Sequence, residues 1–188
     1  MELGRPPSGT AERPRSVLLL EGADGEAADR LCIDLLAGER AGETRLLFVT
    51  LVDSPEKRMR AWDAAADRRP AEAVAVGMAG ARNGPDGPDG VDVRTVSDPA
   101  NLTRLGVVIT GALADLDGEG PSVCFHSLSV LLQYAPVEQV FRFLSVLNTH
   151  LDAAGAAAHF HFDPSIHDDR TLATLRPLFD EVVRADGD

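Results

Sequence analysis

Short apolar runs alternate along this chain with longer stretches in which apolar residues recur at helical spacing. The short runs are typical of buried strands, and the recurrence at three and four residues is typical of amphipathic helices. Because strands and helices alternate, we predict an α/β fold, a three-layer αβα domain with a mainly parallel central sheet. The predicted strands cover residues 16–20, 45–51, 71–77, 91–96, 121–128 and 156–162, and the predicted helices cover residues 27–37, 55–66, 98–117, 137–153 and 168–184.

Residues with restricted or unusual backbone preferences mark the ends of these elements. Ser54 is placed to cap the second helix, with Pro55 at its first position. Gly118 and Gly120 are expected to end the third helix, and Gly155 is expected to end the fourth. Pro177 is expected to bend the last helix, because proline removes a backbone donor.

The chain has the size of one domain, with 188 residues. Residues 1–15 contain proline, glycine and arginine and are expected to form a flexible arm. Residues 16–184 are expected to form the single domain. Within it, residues 80–90 are rich in glycine, proline and aspartate, which predicts a disordered loop.

Acidic residues dominate the charge, with 30 Asp and Glu against 18 Lys and Arg and a net charge of -12. Such a field repels phosphate backbones, so we expect no direct nucleic-acid partner. Lys57 is the only lysine. This combination is typical of salt-adapted archaea, although an arginine-rich bacterial coding bias accounts for it nearly as well.

No apolar run approaches the roughly 18 residues of a membrane span, and no apolar segment of a secretory signal precedes the first strand. We therefore expect no membrane contact and a cytoplasmic protein. Cys32 and Cys124 both lie among apolar neighbours, which favours small buried thiols over a disulfide or a metal knuckle. Neither is assigned a chemical role from the sequence.

The turn after the first strand has the frame of a phosphate-binding loop. Residues 20–31 read Leu-Glu-Gly-Ala-Asp-Gly-Glu-Ala-Ala-Asp-Arg-Leu. This segment resembles the KaiC-type branch of the RecA-like ATPases, where Leu-Glu-Gly opens a loop of the form Gly-x-x-x-x-Gly-Lys-Thr. Gly22 matches the first glycine, Gly25 lies inside the loop, and Ala27 replaces the second glycine. Ala28 replaces the lysine of Walker A, and Asp29 replaces the Ser/Thr that would bind magnesium.

These replacements disfavour the binding of ATP, and we expect no bound cofactor. Ala28 lacks the cation that contacts the β- and γ-phosphates, while Glu26 and Asp29 add carboxylates near the place of the phosphates. Arg30 is a weak substitute for the lysine. The simplest interpretation is a turn that merely joins a strand to a helix.

Two further segments carry the resemblance. In KaiC-like proteins the strand before Ser-Leu ends in the aspartate of Walker B, and here His126 takes that place, before Ser-Leu-Ser. The paired glutamates that activate water in the family are replaced by Val52 and Asp53. Residues 162–164, Phe-Asp-Pro, also fit the family. The resemblance covers about residues 16–183, is nearest to uncharacterised KaiC-like proteins of haloarchaea, and implies a RecA-like domain without catalytic residues.

His126, His161 and Asp163 are expected near the carboxyl edge of the sheet, where they could form a metal or proton-transfer site. In residues 159–162, alternation places both histidines on one face and both phenylalanines on the other. The sequence shows no ligand triplet with fixed spacing, so the competing interpretation is a set of packed, hydrogen-bonded histidines.

Three functions remain open. The first is a non-catalytic regulatory or interaction domain in signalling or transcription control, whose protein partner is a second copy or an active KaiC-like paralogue. Apolar residues on the helix at 137–153 could contribute to such a contact, although packing in the core explains them equally well. The second is a residual nucleotide-binding ATPase with an altered loop. The third is a metal-dependent enzyme built on the histidines.

Overall fold

A computed structural model describes residues 15–21, 25–37, 41–79, 87–116, 120–126 and 128–185. The strands are β1 (Ser16–Leu20), β2 (Arg45–Thr50), β3 (Glu72–Met78), β4 (Val91–Val96), β5 (Ser122–Phe125), β6 (Ala157–Phe162) and β7 (Glu181–Arg184). The helices are α1 (Gly25–Ala37), α2 (Pro55–Ala65), α3 (Leu102–Asp115), α4 (Leu128–Tyr134), α5 (Val137–Ala153) and α6 (Asp169–Leu175).

All strand pairs in this part of the chain are parallel, and they form one sheet in the order β4-β3-β2-β5-β6-β1-β7. Helices cover both faces, so the predicted three-layer αβα fold is confirmed. The order places β2, β5, β6 and β1 side by side, between β3 and the edge strand β7. Their carboxyl ends therefore lie next to one another, which is where parallel sheets build sites.

Alternation along the strands divides the core into two layers. On the layer that we call the α5 face, Leu18, Val49, Phe125 and Phe160 pack under α3, α4, α5 and α6. On the opposite layer, the α1 face, apolar side chains of the strands pack under α1 and α2. The principal buried members of the α1 face are Leu19, Ile33, Phe48, Met59, Trp62 and Cys124.

Several predicted element ends are confirmed. Ser54 caps α2 by accepting a hydrogen bond from the backbone N–H of Lys57 at 3.3 Å, and Pro55 occupies the first helical position. Gly155 follows α5 with a φ of 64°, a left-handed conformation that glycine adopts without strain. Gly118 and residues 1–14 and 80–86 lie outside the described residues. Residues 87–90 form a turn before β4.

The third helix begins later than predicted. The carboxylate of Asp98 accepts a hydrogen bond from the N–H of Ala100 at 2.9 Å, which forms a turn before the helix. Asn101 is the actual cap, because its side chain accepts from the N–H of Arg104. The prediction failed because aspartate followed by proline fits a turn as well as a helix start.

The predicted strand at 121–128 ends early. β5 stops at Phe125, and Leu128 is the first residue of α4, a short helix absent from the prediction. Leu128 and Leu131 are fully buried on the α5 face. A short apolar run does not reveal by itself where a buried strand gives way to a buried helix.

The predicted helix at 168–184 is wrong in its second half. α6 ends at Leu175, a 3-10 turn follows at Arg176–Leu178, and the chain continues as the edge strand β7. Pro177 lies in that turn and ends the helix rather than bending it. Pairing of β7 with β1 makes the segment extended, a long-range contact that local periodicity does not report.

No helix in the described part of the chain is long and apolar enough to cross a membrane.

Candidate functional site

The carboxyl ends of four neighbouring strands bring together the polar residues of the α1 face. Glu21 follows β1, Asp53 follows β2, His126 follows β5, and His161 lies near the end of β6. The backbone N–H of His126 donates to the carbonyl of Val49 at 2.9 Å, which extends the pairing of β5 with β2. The N–H of Glu21 likewise donates to the carbonyl of residue 162. The backbone hydrogen bonds therefore hold Glu21 and His126 in place at the edge of the sheet.

Arg58, on α2, is the buried cation of this region, with 1% of its side chain exposed. Its Nη1 donates to Asp29 Oδ1 at 2.6 Å and lies 3.3 Å from His126 Nε2. Burial opposes the charge of Arg58, but the neighbouring thiols of Cys32 and Cys124 and the carboxylate of Asp29 raise its pKa. The guanidinium therefore stays charged and holds α1 and α2 together.

His126 and Asp53 form a second pair at the same edge. Nε2 of His126 lies 3.1 Å from Asp53 Oδ2, and Lys57 Nζ donates to Asp53 Oδ1 at 2.8 Å. The hydrogen bond with His126 and the nearby Lys57 hold the pKa of Asp53 well below its usual range. Burial lowers the pKa of His126, so its ring is neutral and donates its Nε2–H to the carboxylate.

His161 is fully buried and contacts the carboxylate of Glu21, with Nδ1 2.7 Å from Oε1. Burial lowers the pKa of His161, but Cys32 and the Glu21 carboxylate outweigh it and raise the pKa to about 9. The ring packs edge-on against His126, with centroids 4.3 Å apart. Glu21, His126 and His161 thus form one group of potential metal ligands.

A second and deeper group contains Cys32 from α1, Cys124 from β5, and His159 and His161 from β6. The two Sγ atoms are 3.6 Å apart, and His159 Nε2 is 3.1 Å from Cys32 Sγ. Burial raises the pKa of a thiol, but the hydrogen bond with Cys124 and the adjacent imidazoles leave the pKa of Cys32 well below its usual value. Burial and the hydrogen bond to Cys32 raise the pKa of Cys124, so one thiolate forms before the other.

The described residues of the segment that resembles a phosphate-binding loop lie at the start of α1. Gly22 lies outside the described residues, and Gly25 is the exposed first residue of α1. Ala27 follows in the first turn of the helix. Ala28, which the sequence resemblance aligns with the lysine, is 4% exposed and packs in the α1 face. Asp29, which the same resemblance aligns with the hydroxyl residue, is the ion-pair partner of Arg58.

The structure brings together two of the three metal candidates named from the sequence. His126 and His161 are in contact, whereas Asp163 Oδ1 accepts hydrogen bonds from the N–H and the hydroxyl of Ser165 and forms a turn. Glu21 takes the position expected for Asp163. The predicted alternation of β6 is confirmed, since His159 and His161 lie on the α1 face.

The prediction that Cys32 and Cys124 are buried thiols is confirmed, but sequence reasoning assigned them no place in the site, and it did not single out Arg58. Cys32 and Cys124 are 92 residues apart and come together only through the packing of α1 on β5. Arg58 lies in a charged stretch of sequence that is typical of an exposed helix face. The one local signal was the His-Phe-His-Phe alternation, which shows that polar side chains enter a buried face.

A groove of about 530 Å³ lies on the α5 face, between α3 and α5. Val107, Phe143 and Val146 are among its lining residues, and Val107 and Val146 are more than half exposed. The buried side chains of α5, Val140, Leu144, Leu147 and Leu151, pack in the core. Most of the apolar surface predicted for this helix therefore serves the fold.

The fold and the site define a parallel α/β protein with a polar cluster at the carboxyl edge of its sheet. The chain belongs to a family of unknown function, DUF7504, whose model matches residues 14–185. A solved structure described as a "Structural study of Project ID PH0250 from Pyrococcus horikoshii OT3" is similar, with a TM-score of 0.62 and 11% sequence identity. The match covers 92% of this chain and 82% of that chain, and it shows a shared fold. Among curated proteins, none matches this sequence.

Proposed function

We propose that this chain is a RecA/KaiC-like domain that does not hydrolyse ATP and acts as a regulatory or interaction module in the cytoplasm. The proposal includes the resemblance to haloarchaeal KaiC-like proteins, a role in signalling or transcription control, and a protein partner that is a second copy or an active KaiC-like paralogue. The observation that carries it is a set of internal contacts: Arg58 is paired with Asp29 and lies 3.9 Å from Asp53, which also accepts from His126.

In an ATPase of this class, the residues at the positions of Asp29 and His126 would bind magnesium, and the residue at the position of Asp53 would activate water. Here Asp29 is bound to Arg58, and His126 is bound to Asp53. A triphosphate and its metal would have to break these internal pairs and leave Arg58 buried without its carboxylate. Because removing one partner of a buried ion pair is costly, the network opposes nucleotide binding.

The start of α1 also supports the proposal. Ala28 lies in the core, so its side chain contacts apolar residues rather than solvent. Glu26 in the first turn places a carboxylate at the positive end of the helix, where an ATPase would place phosphate. Charge repulsion at this position is the second obstacle to a nucleotide.

The test is calorimetric titration of the full chain with ATP and Mg²⁺ in high potassium chloride, with ATP hydrolysis measured in parallel. We expect neither binding heat nor phosphate release from the natural chain. Ala28→Lys is expected to restore neither, because Asp29 and His126 remain engaged.

The matched variants are Arg30→Ala and Arg104→Ala. Both remove an exposed arginine, but Arg30 lies beside the altered loop and Arg104 lies on α3. Micromolar ATP binding that disappears in Arg30→Ala and persists in Arg104→Ala would refute the proposal and support a residual nucleotide-binding ATPase.

A further inference from the structure

Four buried side chains converge between α1 and the middle of the sheet, outside the contacts used for the proposed function. They are Cys32, Cys124, His159 and His161, and their ligand atoms all lie within 4.8 Å of one another. We propose that these four residues bind one tetrahedral Zn²⁺ ion.

The distances match those that a zinc ion imposes. With Zn–S bonds of about 2.3 Å, a tetrahedral ion holds two sulfurs about 3.8 Å apart, and with Zn–N bonds of about 2.0 Å it holds sulfur and nitrogen about 3.5 Å apart. The Sγ atoms of Cys32 and Cys124 are 3.6 Å apart. His159 Nε2 is 3.1 Å from Cys32 Sγ, so small rotations of the side chains close the coordination sphere.

The ligand set selects the metal. Two thiolates and two imidazoles in a tetrahedral arrangement are the donors of structural zinc sites, whereas magnesium and calcium require oxygen ligands. Two thiolates also balance the two positive charges of the ion, so the filled site adds no net charge to the core.

His161 provides an independent observation. Its Nε2 is buried and has no hydrogen-bond partner among the described residues, while its Nδ1 is paired with Glu21 at 2.7 Å. A histidine that binds zinc through one nitrogen commonly donates its other N–H to a carboxylate, which fixes the ring and its tautomer. Glu21 is in that position, and the unpaired Nε2 is then the metal ligand.

Arg58 contacts one of the proposed zinc ligands, because its Nη2 donates to Cys32 Sγ at 3.6 Å. A hydrogen bond of this kind stabilises a thiolate ligand. Cys32 and Cys124 are fully buried, and His159 and His161 are at most 2% exposed. Four protein ligands without solvent access leave no open coordination position, so the ion is structural and links α1 to β5 and β6.

The experiment uses the full chain, purified under reducing conditions without chelator. Elemental analysis is expected to find one zinc per chain, and loading with Co²⁺ in its place is expected to give strong visible absorption together with a thiolate-to-cobalt charge-transfer band. Removal of zinc by a chelator is expected to lower the melting temperature. Absence of stoichiometric metal and of the charge-transfer band in the natural chain would overturn the proposal.

Variants separate this site from its neighbours. Cys124→Ser is expected to remove the charge-transfer contribution of one thiolate and to weaken Co²⁺ binding by more than 100-fold. Glu21→Gln keeps all four ligands and is expected to weaken binding by about 10–100-fold. His150→Gln, which changes an exposed histidine on α5, is the matched control and should bind as the natural chain does.

Two results would identify a different chemistry and refute the zinc site. Co²⁺ binding that survives Cys124→Ser but is lost in His126→Gln would assign the ion to Glu21, His126 and His161 instead. A Cys32–Cys124 disulfide without bound metal in a second preparation made without reductant, detected by mass spectrometry and thiol titration, would show a redox pair.

Discussion

The two faces of the sheet are built from alternate residues of the same strands, yet they differ in chemistry. In β6, Phe160 and Phe162 enter the α5 face, where Phe160 stacks with Phe125 and Phe162 packs against His167, whereas His159 and His161 enter the α1 face. The α5 face is held by apolar contacts. The α1 face combines an apolar layer with thiols, imidazoles and a buried guanidinium.

The difference shows how one fold separates stability from site chemistry. The hydrophobic effect has no directional requirement, so the α5 face can stabilise the fold without any particular arrangement of polar groups. Buried polar groups must be paired, and those of the α1 face therefore restrict which side chains can occupy the carboxyl edge. Substitutions on the two faces should therefore destabilise the protein for different reasons: lost apolar packing on the α5 face, and unpaired buried polar groups on the α1 face.

The largest expected effect is on the α5 face. Phe160→Ala removes a fully buried ring that packs against Phe125, with centroids 5.6 Å apart. We expect a loss of about 3–5 kcal/mol in the free energy of unfolding, because a cavity remains. Urea denaturation measures it, with the exposed Val146→Ala as a control that should change stability by less than about 0.5 kcal/mol. Equal losses in both variants would show that the buried Phe160 ring contributes no more to stability than an exposed side chain.

A smaller effect is expected from the ion pair of the α1 face. Asp29→Asn leaves the guanidinium of Arg58 buried without its closest carboxylate. Since 36% of the Asp29 side chain is exposed, we expect a loss of about 1–3 kcal/mol, at or below the range for fully buried pairs. Asp63→Asn is the matched control, because its pair with Arg69 is exposed on both sides. Equal unfolding midpoints for the two variants would contradict a structural role for the buried pair.

The smallest expected effect is a change with pH. The folded-state pKa of Asp53 is lowered, so its contribution to stability is present above its ordinary pKa near 4 and is lost as the pH falls. Asp53→Asn should therefore destabilise the protein at pH 6 by about 0.5–1 kcal/mol, because its charged partner Lys57 is exposed and its other partner, His126, is neutral, and the penalty should shrink as the pH falls from about 4 towards 2. Urea midpoints across this range measure it. A penalty that does not diminish in acid would exclude ionisation of Asp53 as its cause.

The sequence by itself determined the features that depend on local periodicity and residue identity. The six predicted strands, the capping of α2 by Ser54, the glycine after α5 and the alternation of β6 all follow from neighbouring residues. Residue identity also supports the prediction, made from the resemblance to KaiC-like proteins, that Ala28 and His126 stand where those proteins have the Walker A lysine and the Walker B aspartate.

Only the tertiary structure decided the features that depend on strand order. The end of the chain is helical by periodicity, but pairing with β1 makes residues 181–184 a strand. The strand order places β5 beside β6, and α1 packs on both, so Cys32 meets Cys124, His159 and His161. Arg58 is buried for the same reason. Such contacts join residues far apart in sequence, and local patterns carry no information about which distant strands become neighbours.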